Sequence, residues 1–147
     1  GEMGLHPPWL ADKYGWLDVG LAHYFELELE GLATTQCMRE QDNSIRWRGP
    51  DWRKNIYKAV AGGQVPSFSD ITVQPAYSLS AMEHQFAWSW VDFLIDRDAA
   101  AMGKALTLAK QERPTRDLLK EGWGLSMLGF EQVWSEWVQE NYDPQRR

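Results

Sequence analysis

The sequence predicts a mainly α protein, with about six helices in one compact domain that spans residues 1–147. Three observations support this fold class. The length of 147 residues suits a single domain, apolar residues recur at four-residue spacing in several stretches, and Ser or Asp precedes some of those stretches at helix-cap positions. Hydrophobic residues make up 44% of the chain and nine residues are Trp, so a large aromatic core is expected.

The N-terminal part is predicted to be a loop followed by an amphipathic helix. Residues 1–15 are expected to be loop-like because they contain two consecutive prolines. A helix is predicted from about Leu17 to Leu29, with Gly31 at the position that often ends a helix. A strand is the alternative for Phe25–Glu30, where apolar and acidic residues alternate, and Thr34–Met38 is predicted to be a short strand or extended segment. Four residues define the apolar stripe of the helix: Leu17, Leu21, Phe25 and Leu29.

Two further helices are predicted in the middle of the chain. The second helix opens at Pro50-Asp51 and ends at Gly62-Gly63. Residues Gln64–Ala76 are expected to form a loop, since they contain two prolines and lack an apolar period. The third helix begins at a capping box formed by Ser80 and Glu83 and runs to about Ile95. Its inward line is predicted to consist of Met82, Phe86, Trp90 and Leu94.

Three helices are predicted in the C-terminal third. Asp98 caps the fourth helix, Pro114-Thr115 begins a short fifth helix that stops at Gly122, and Ser126 begins the sixth. The inward residues of the fourth helix are predicted to be Met102, Leu106 and Ala109. Those of the sixth are predicted to be Met127, Phe130, Trp134, Trp137 and Val138.

Charge and hydropathy exclude two classes of function. The net charge is −6 and no basic stripe is present, so nucleic-acid binding is not expected. Ile45–Arg48 and Trp52–Lys54 form a small basic and aromatic cluster, which is interpreted as the solvated start of a helix. The alternative is that Arg stacked on Trp binds a base or a carboxylate. No apolar window of about 18 residues occurs, so we expect a soluble protein without a membrane span. The single cysteine, Cys37, excludes an internal disulfide and leaves the compartment open.

The search for catalytic motifs gives no complete site. The three histidines are His6, His23 and His84, and none belongs to an HExxH motif. Glu83-His84 would offer metal ligands together with His23 only if folding brought them together. No phosphate-binding loop and no nucleophile elbow is present, and Cys37 alone does not define a thiol nucleophile. We therefore predict no catalytic residue, no metal site and no cofactor.

One stretch resembles a known family. The segment Gly15–Glu26, GWLDVGLAHYFE, resembles the W-L-x-E-G-L-A-x-Y segment of gluzincin metallopeptidases, the peptidase-MA-like group. Gln85–Leu94 and Gly124–Val138 are similar to two later helices of that family. The resemblance implies the C-terminal helical lobe of a gluzincin, in which HExxH supplies two zinc ligands and the Glu before G-L-A supplies the third.

The departures from the family pattern bear on activity. Val19 stands at the third-ligand position, and valine cannot coordinate zinc. Asp18 is adjacent, but on a helix it points about 100° away from Val19. Phe86 stands where the family often has a tyrosine. The HExxH helix would lie before Gly1 and is not in this chain.

These observations favour a non-catalytic, degenerate metallopeptidase-like domain that acts in binding or scaffolding, although its enzymatic status stays open. One alternative is the C-terminal fragment of an active zinc metallopeptidase whose HExxH segment is not in this chain. Another is an unrelated helical interaction module. We expect a protein partner or self-association through the Leu17–Leu29 helix face, because that face would lack the neighbour on which it packs in gluzincins.

Overall fold

Eight α-helices and two short 3-10 helices make up the part of the chain that the structure describes. The computed structural model describes the backbone of residues 8–40 and 49–146 and the side chains of residues 9–27 and 52–145. The α-helices are α1 Pro8–Lys13, α2 Gly15–Glu40, α3 Gly49–Ala61, α4 Phe68–Thr72, α5 Ala81–Arg97, α6 Ala99–Lys110, α7 Thr115–Trp123 and α8 Met127–Asn141, and the 3-10 helices are Ala76–Ser78 and Pro144–Arg146. The described residues contain no strand, which confirms the prediction of a mainly α, single-domain fold. None of their helices is long and apolar enough to cross a membrane.

The six predicted helices correspond to α2, α3, α5, α6, α7 and α8, and three of their predicted caps are confirmed. The Ser80 hydroxyl accepts from the Glu83 backbone N–H at 3.2 Å, while the Glu83 carboxylate accepts from the Ser80 backbone N–H at 2.8 Å. Asp98 ends α5 and also caps α6, and Ser126 caps α8. The junction at Asp98 is further held by the Trp123 indole, which donates to the carbonyl oxygens of Leu94 at 2.9 Å and Asp98 at 3.2 Å.

The N-terminal third differs from the prediction in two ways. Residues 8–13 of the expected loop form α1, because a proline is compatible with the first turn of a helix, where its missing N–H is not needed. The helix α2 extends to Glu40, so the strand alternative at Phe25–Glu30 and the strand or extended segment at Thr34–Met38 are wrong. Gly31 does not end the helix, since a single interior glycine costs only about 1 kcal/mol relative to alanine.

Two smaller differences occur later in the chain. Part of the predicted loop Gln64–Ala76 forms the one-turn helix α4, which Ser67 caps by accepting from the Asp70 backbone N–H. The helix α7 continues past Gly122 to Trp123 and is capped by Gly124, whose positive φ of 73° suits a glycine. Both differences therefore coincide with local caps, Ser67 at the start of α4 and Gly124 after the end of α7.

Aromatic rings from four helices fill the centre of the core. Phe68 of α4 contacts the rings of Trp16, Trp90 and Phe130, with centroid distances of 5.3, 4.8 and 4.4 Å. Such ring pairs add to the free energy gained from burying their apolar area. The core predicted on α5 is confirmed for Phe86, Trp90 and Leu94, whereas Met82 is exposed.

The most extensive helix contact is that between α2 and α5. It depends on Gly20, where a Cβ would lie 2.5 Å from the Ala87 carbonyl oxygen and would overlap Val91 Cγ2. Glycine therefore lets the two backbones approach more closely than any other residue would allow.

Substitution of Gly20 tests this contact. We expect Gly20→Ala to lower the free energy of unfolding by about 1–3 kcal/mol, because the added methyl group overpacks the α2–α5 contact. Gly103→Ala is the matched control, since Gly103 lies on the exposed side of α6 with open space at its Cβ position. That change should raise stability by about 0.5–1 kcal/mol. Urea unfolding measures the free energy of unfolding of both variants and of the wild type. A Gly20→Ala variant as stable as Gly103→Ala would contradict the close approach of α2 and α5.

Candidate functional site

The segment that resembles the gluzincin motif lies in the first turns of α2. Val19, at the third-ligand position, is buried, and Asp18 beside it is also buried. Phe86 is buried as well, and its ring centroid lies 6.0 Å from that of Trp90 and 6.1 Å from that of Trp134. Apolar side chains thus occupy both positions where the resemblance implies a zinc ligand and a hydroxyl group.

The structure brings His23 and His84 together. Nε2 of His23 lies 3.0 Å from Nδ1 of His84, and Nδ1 of His23 lies 2.9 Å from a carboxylate oxygen of Glu26. The His23 ring also packs edge-on against Trp52 at 5.0 Å. The sequence indicated Glu83 as the carboxylate partner, but Glu83 is used in the capping box of α5 and Glu26 takes that place.

The protonation of this cluster follows from its neighbours. The hydrogen bond from His23 lowers the pKa of Glu26, although burial opposes this effect. Burial lowers the pKa of His84, and the charge of His23 lowers it further. An ionised Glu26 only accepts hydrogen bonds, so Nδ1 of His23 carries a proton. When both imidazoles are neutral, Nε2 of His23 therefore accepts a hydrogen bond that the N–H at Nδ1 of His84 donates.

The geometry of the histidine pair fits a hydrogen bond better than a shared metal ion. The ring centroids are 5.2 Å apart while the facing nitrogens are 3.0 Å apart, so the nitrogens point almost directly at each other. Ligands of one metal ion point instead at a common third position. Among the described residues, no group of three or more His, Cys, Asp or Glu is arranged to hold a metal ion. The side chains of His6 and Cys37 lie outside the described residues.

A second polar cluster is buried between α5 and α8. The Trp134 indole donates to the Ser89 hydroxyl at 3.0 Å, Ser89 donates to the Tyr142 hydroxyl at 3.2 Å, and Tyr142 donates to Asp92 at 2.7 Å. Burial raises the pKa of Tyr142 well above its ordinary value, and the carboxylate of Asp92 raises it further. The directed chain of hydrogen bonds satisfies polar groups that would otherwise be costly to bury.

The basic and aromatic cluster that the sequence indicated is only partly described. Trp52 is fully buried, so its ring has no face open for a ligand to stack on. The guanidinium of Arg53 lies over the rings of Trp88 and Tyr142, at 5.5 and 5.8 Å from their centroids. Lys54 is exposed. The side chains of Arg46 to Arg48 are outside the described residues.

An apolar groove lies between α1, α2, the end of α5, and α6. Its volume is about 630 Å³, within the range of about 300–1,000 Å³ that is typical of ligand sites. Phe25 at its edge is 43% exposed, although the sequence pattern placed it inward. The groove belongs to the same helix face that the sequence indicated for a partner. The described residues of its wall are Trp9, Leu10, Leu21, Tyr24, Phe25, Ile95, Ala99, Met102, Leu106, Thr107 and Lys110.

Comparison of the chain with protein-family models, with curated proteins and with solved structures gives no match. The resemblance to gluzincins therefore stays a prediction that rests on the motif residues quoted above.

The polar cluster around Tyr142 predicts a pH-dependent effect of one substitution. Tyr142→Phe should lower the free energy of unfolding by about 1–3 kcal/mol at pH 7, because it removes the hydroxyl that accepts from Ser89 and donates to Asp92. The raised pKa keeps folded Tyr142 neutral while unfolded Tyr142 ionises above about pH 10. Above about pH 10 the folded wild-type protein therefore binds more protons than the unfolded wild-type protein, and its free energy of unfolding falls as pH rises. The difference in this free energy between wild type and Tyr142→Phe should shrink accordingly.

Urea unfolding from pH 7 to 11 measures this difference. Tyr77→Phe is the matched control because Tyr77 is 84% exposed, and it should change stability by less than about 0.5 kcal/mol at every pH. A difference between wild type and Tyr142→Phe that stays constant across the range would contradict the assignment.

Proposed function

We propose that this chain is a non-catalytic, degenerate metallopeptidase-like domain that acts in binding or scaffolding. The single observation that carries the proposal is the apolar groove along α2. Leu21, Tyr24 and Phe25 of the Leu17–Leu29 face form one of its walls. Self-association or a protein partner through this face is the function that the geometry supports best.

The packing of α2 defines which part of its apolar face is available. Leu17 and Leu21 are buried, and α5 covers the helix closely around Gly20. Tyr24 and Leu27 are only half-buried, and Phe25 is exposed. The open part of the face therefore lies at the C-terminal end of the motif segment, about one turn after the buried Leu21. Exposed apolar surface that is continuous with a groove is typical of an interaction site.

Three features support a non-catalytic role. Val19 is a side chain that cannot bind zinc, Phe86 is packed among other rings, and Glu83 is engaged in a helix cap. A site that has lost its ligands is expected to be filled by apolar side chains, because a buried unpaired carboxylate would be costly. The alternative of an active peptidase fragment requires Asp18 to replace the glutamate, although Asp18 points about 100° away from Val19 on α2.

Substitution of Phe25 tests the binding face. We expect wild-type protein at micromolar concentration to self-associate in light scattering, or to stay monomeric and bind a hydrophobic dye. Phe25→Ser should weaken either behaviour, because burial of a phenylalanine contributes about 1.5–3 kcal/mol. Leu128→Ser is the matched control, since Leu128 is 77% exposed on α8 and lies outside the groove.

The same measurements include a result that would count against the proposal. A wild-type monomer that binds no dye would mean that the domain has closed over this face. If Phe25→Ser and Leu128→Ser reduce self-association or dye binding equally, the groove contributes no more to binding than another exposed apolar position does.

A further inference from the structure

The groove differs from the rest of the surface in its charge. Among the residues whose side chains the structure describes, no Asp or Glu lines the groove, and Lys110 is the one charged residue in its wall. Lys110 lies in the last turn of α6, and no carboxylate among the described side chains forms an ion pair with it. An occupant that combines apolar groups with one negative charge would therefore complement this wall.

The shape of the groove bears on the size of its occupant. It is open to solvent on one side, so a small apolar molecule would stay partly in water, whereas ligand pockets enclose most of a small ligand. A protein segment would cover the opening with its own outer face. From Ala99 to Lys110 the wall formed by α6 extends over about 16 Å, at 1.5 Å per residue. This length matches about three turns of a helix laid beside it.

The secondary structure decides between the modes of peptide recognition. The described residues contain no strand, so they offer no sheet edge to which an extended peptide could add. Recognition here has to come from side chains. A groove between helices accepts an amphipathic helix through apolar residues spaced at i, i+3 or i+4, and i+7.

We propose that the groove binds one apolar face of an amphipathic helix from a partner protein, with an Asp or Glu of that helix at Lys110. This inference rests on the binding function proposed above and adds the chemistry of the partner. The apolar side chains of the partner helix fill the space along Leu21, Phe25 and Leu106. Its carboxylate lies at the end of the groove where Lys110 is, at the C-terminal end of α6.

A displayed library of helical peptides tests the proposal. The library holds a 16-residue helical frame with randomised positions on one face, and it is selected against the wild-type chain and, in parallel, against Phe25→Ser. We expect the wild type to enrich peptides with large apolar residues at i, i+3 or i+4, and i+7 and with Asp or Glu near one end. One enriched peptide is then synthesised in two versions, one with its acidic residue and one with Lys in the same position. Fluorescence anisotropy measures the affinity of each version for the chain.

The charge at Lys110 is tested by a matched pair of substitutions. Lys110→Met keeps the alkyl stem and removes the charge. It should lower the affinity for the acidic peptide by up to about fivefold. Lys104→Met on the exposed side of α6 should leave that affinity within about twofold. Phe25→Ser should weaken both peptides at least about tenfold, through the loss of an apolar anchor. Circular dichroism confirms that each variant keeps its helical content.

The outcomes separate this inference from the binding function. Enrichment of basic peptides, or equal affinities for the acidic and lysine versions, would overturn the proposed partner chemistry and leave the groove as a binding face. Decanoate serves as a small amphiphile for comparison. If decanoate displaces the peptide completely, and if its own affinity for the chain equals that of the peptide, the groove would be assigned to a small amphiphile instead. Enrichment that Phe25→Ser does not reduce would place binding elsewhere, and the proposed function would fail with the inference.

Discussion

The close approach of α2 to α5 at Gly20 positions most of the features described above. Successive residues on a helix point about 100° apart, so neighbours of Gly20 reach different surroundings. His23, almost one turn later, comes within hydrogen-bonding distance of His84 on α5. Leu21 lies in the wall of the groove. A larger residue at position 20 would push the helices apart and change both surroundings together.

Local signals predicted the parts of the fold that depend on neighbouring residues. Ser80 with Glu83, Asp98 and Ser126 each act over three residues, and each cap has the predicted geometry. The short helices α1 and α4 were missed because their stability comes mainly from packing. Phe68 of α4, for example, contacts rings on α2, α5 and α8, which are distant in sequence. Helices of one or two turns are otherwise marginal.

The candidate sites were less predictable than the fold, because each depends on residues far apart in the chain. Ser89 and Tyr142 are separated by 53 positions, and no spacing rule relates them. The one available signal for this cluster was the position of Ser89, a polar residue within the apolar stretch of α5. For α2 the four-residue period identified the face that is buried at Leu17 and Leu21. The period gave no information on how far along this face α5 covers it. Phe25 therefore belongs to the predicted stripe and is nevertheless exposed.

The junction at Asp98 has a consequence for how the groove would work. One residue ends α5 and caps α6, and the Trp123 indole donates to the carbonyl oxygen of Leu94 in α5 and to that of the junction residue Asp98 itself. A connection so short and so fully bonded leaves α6 little freedom to pivot about α5. The wall that α6 contributes is thus already in place before anything binds. An incoming chain would have to lose its own conformational entropy, while the groove itself would lose little.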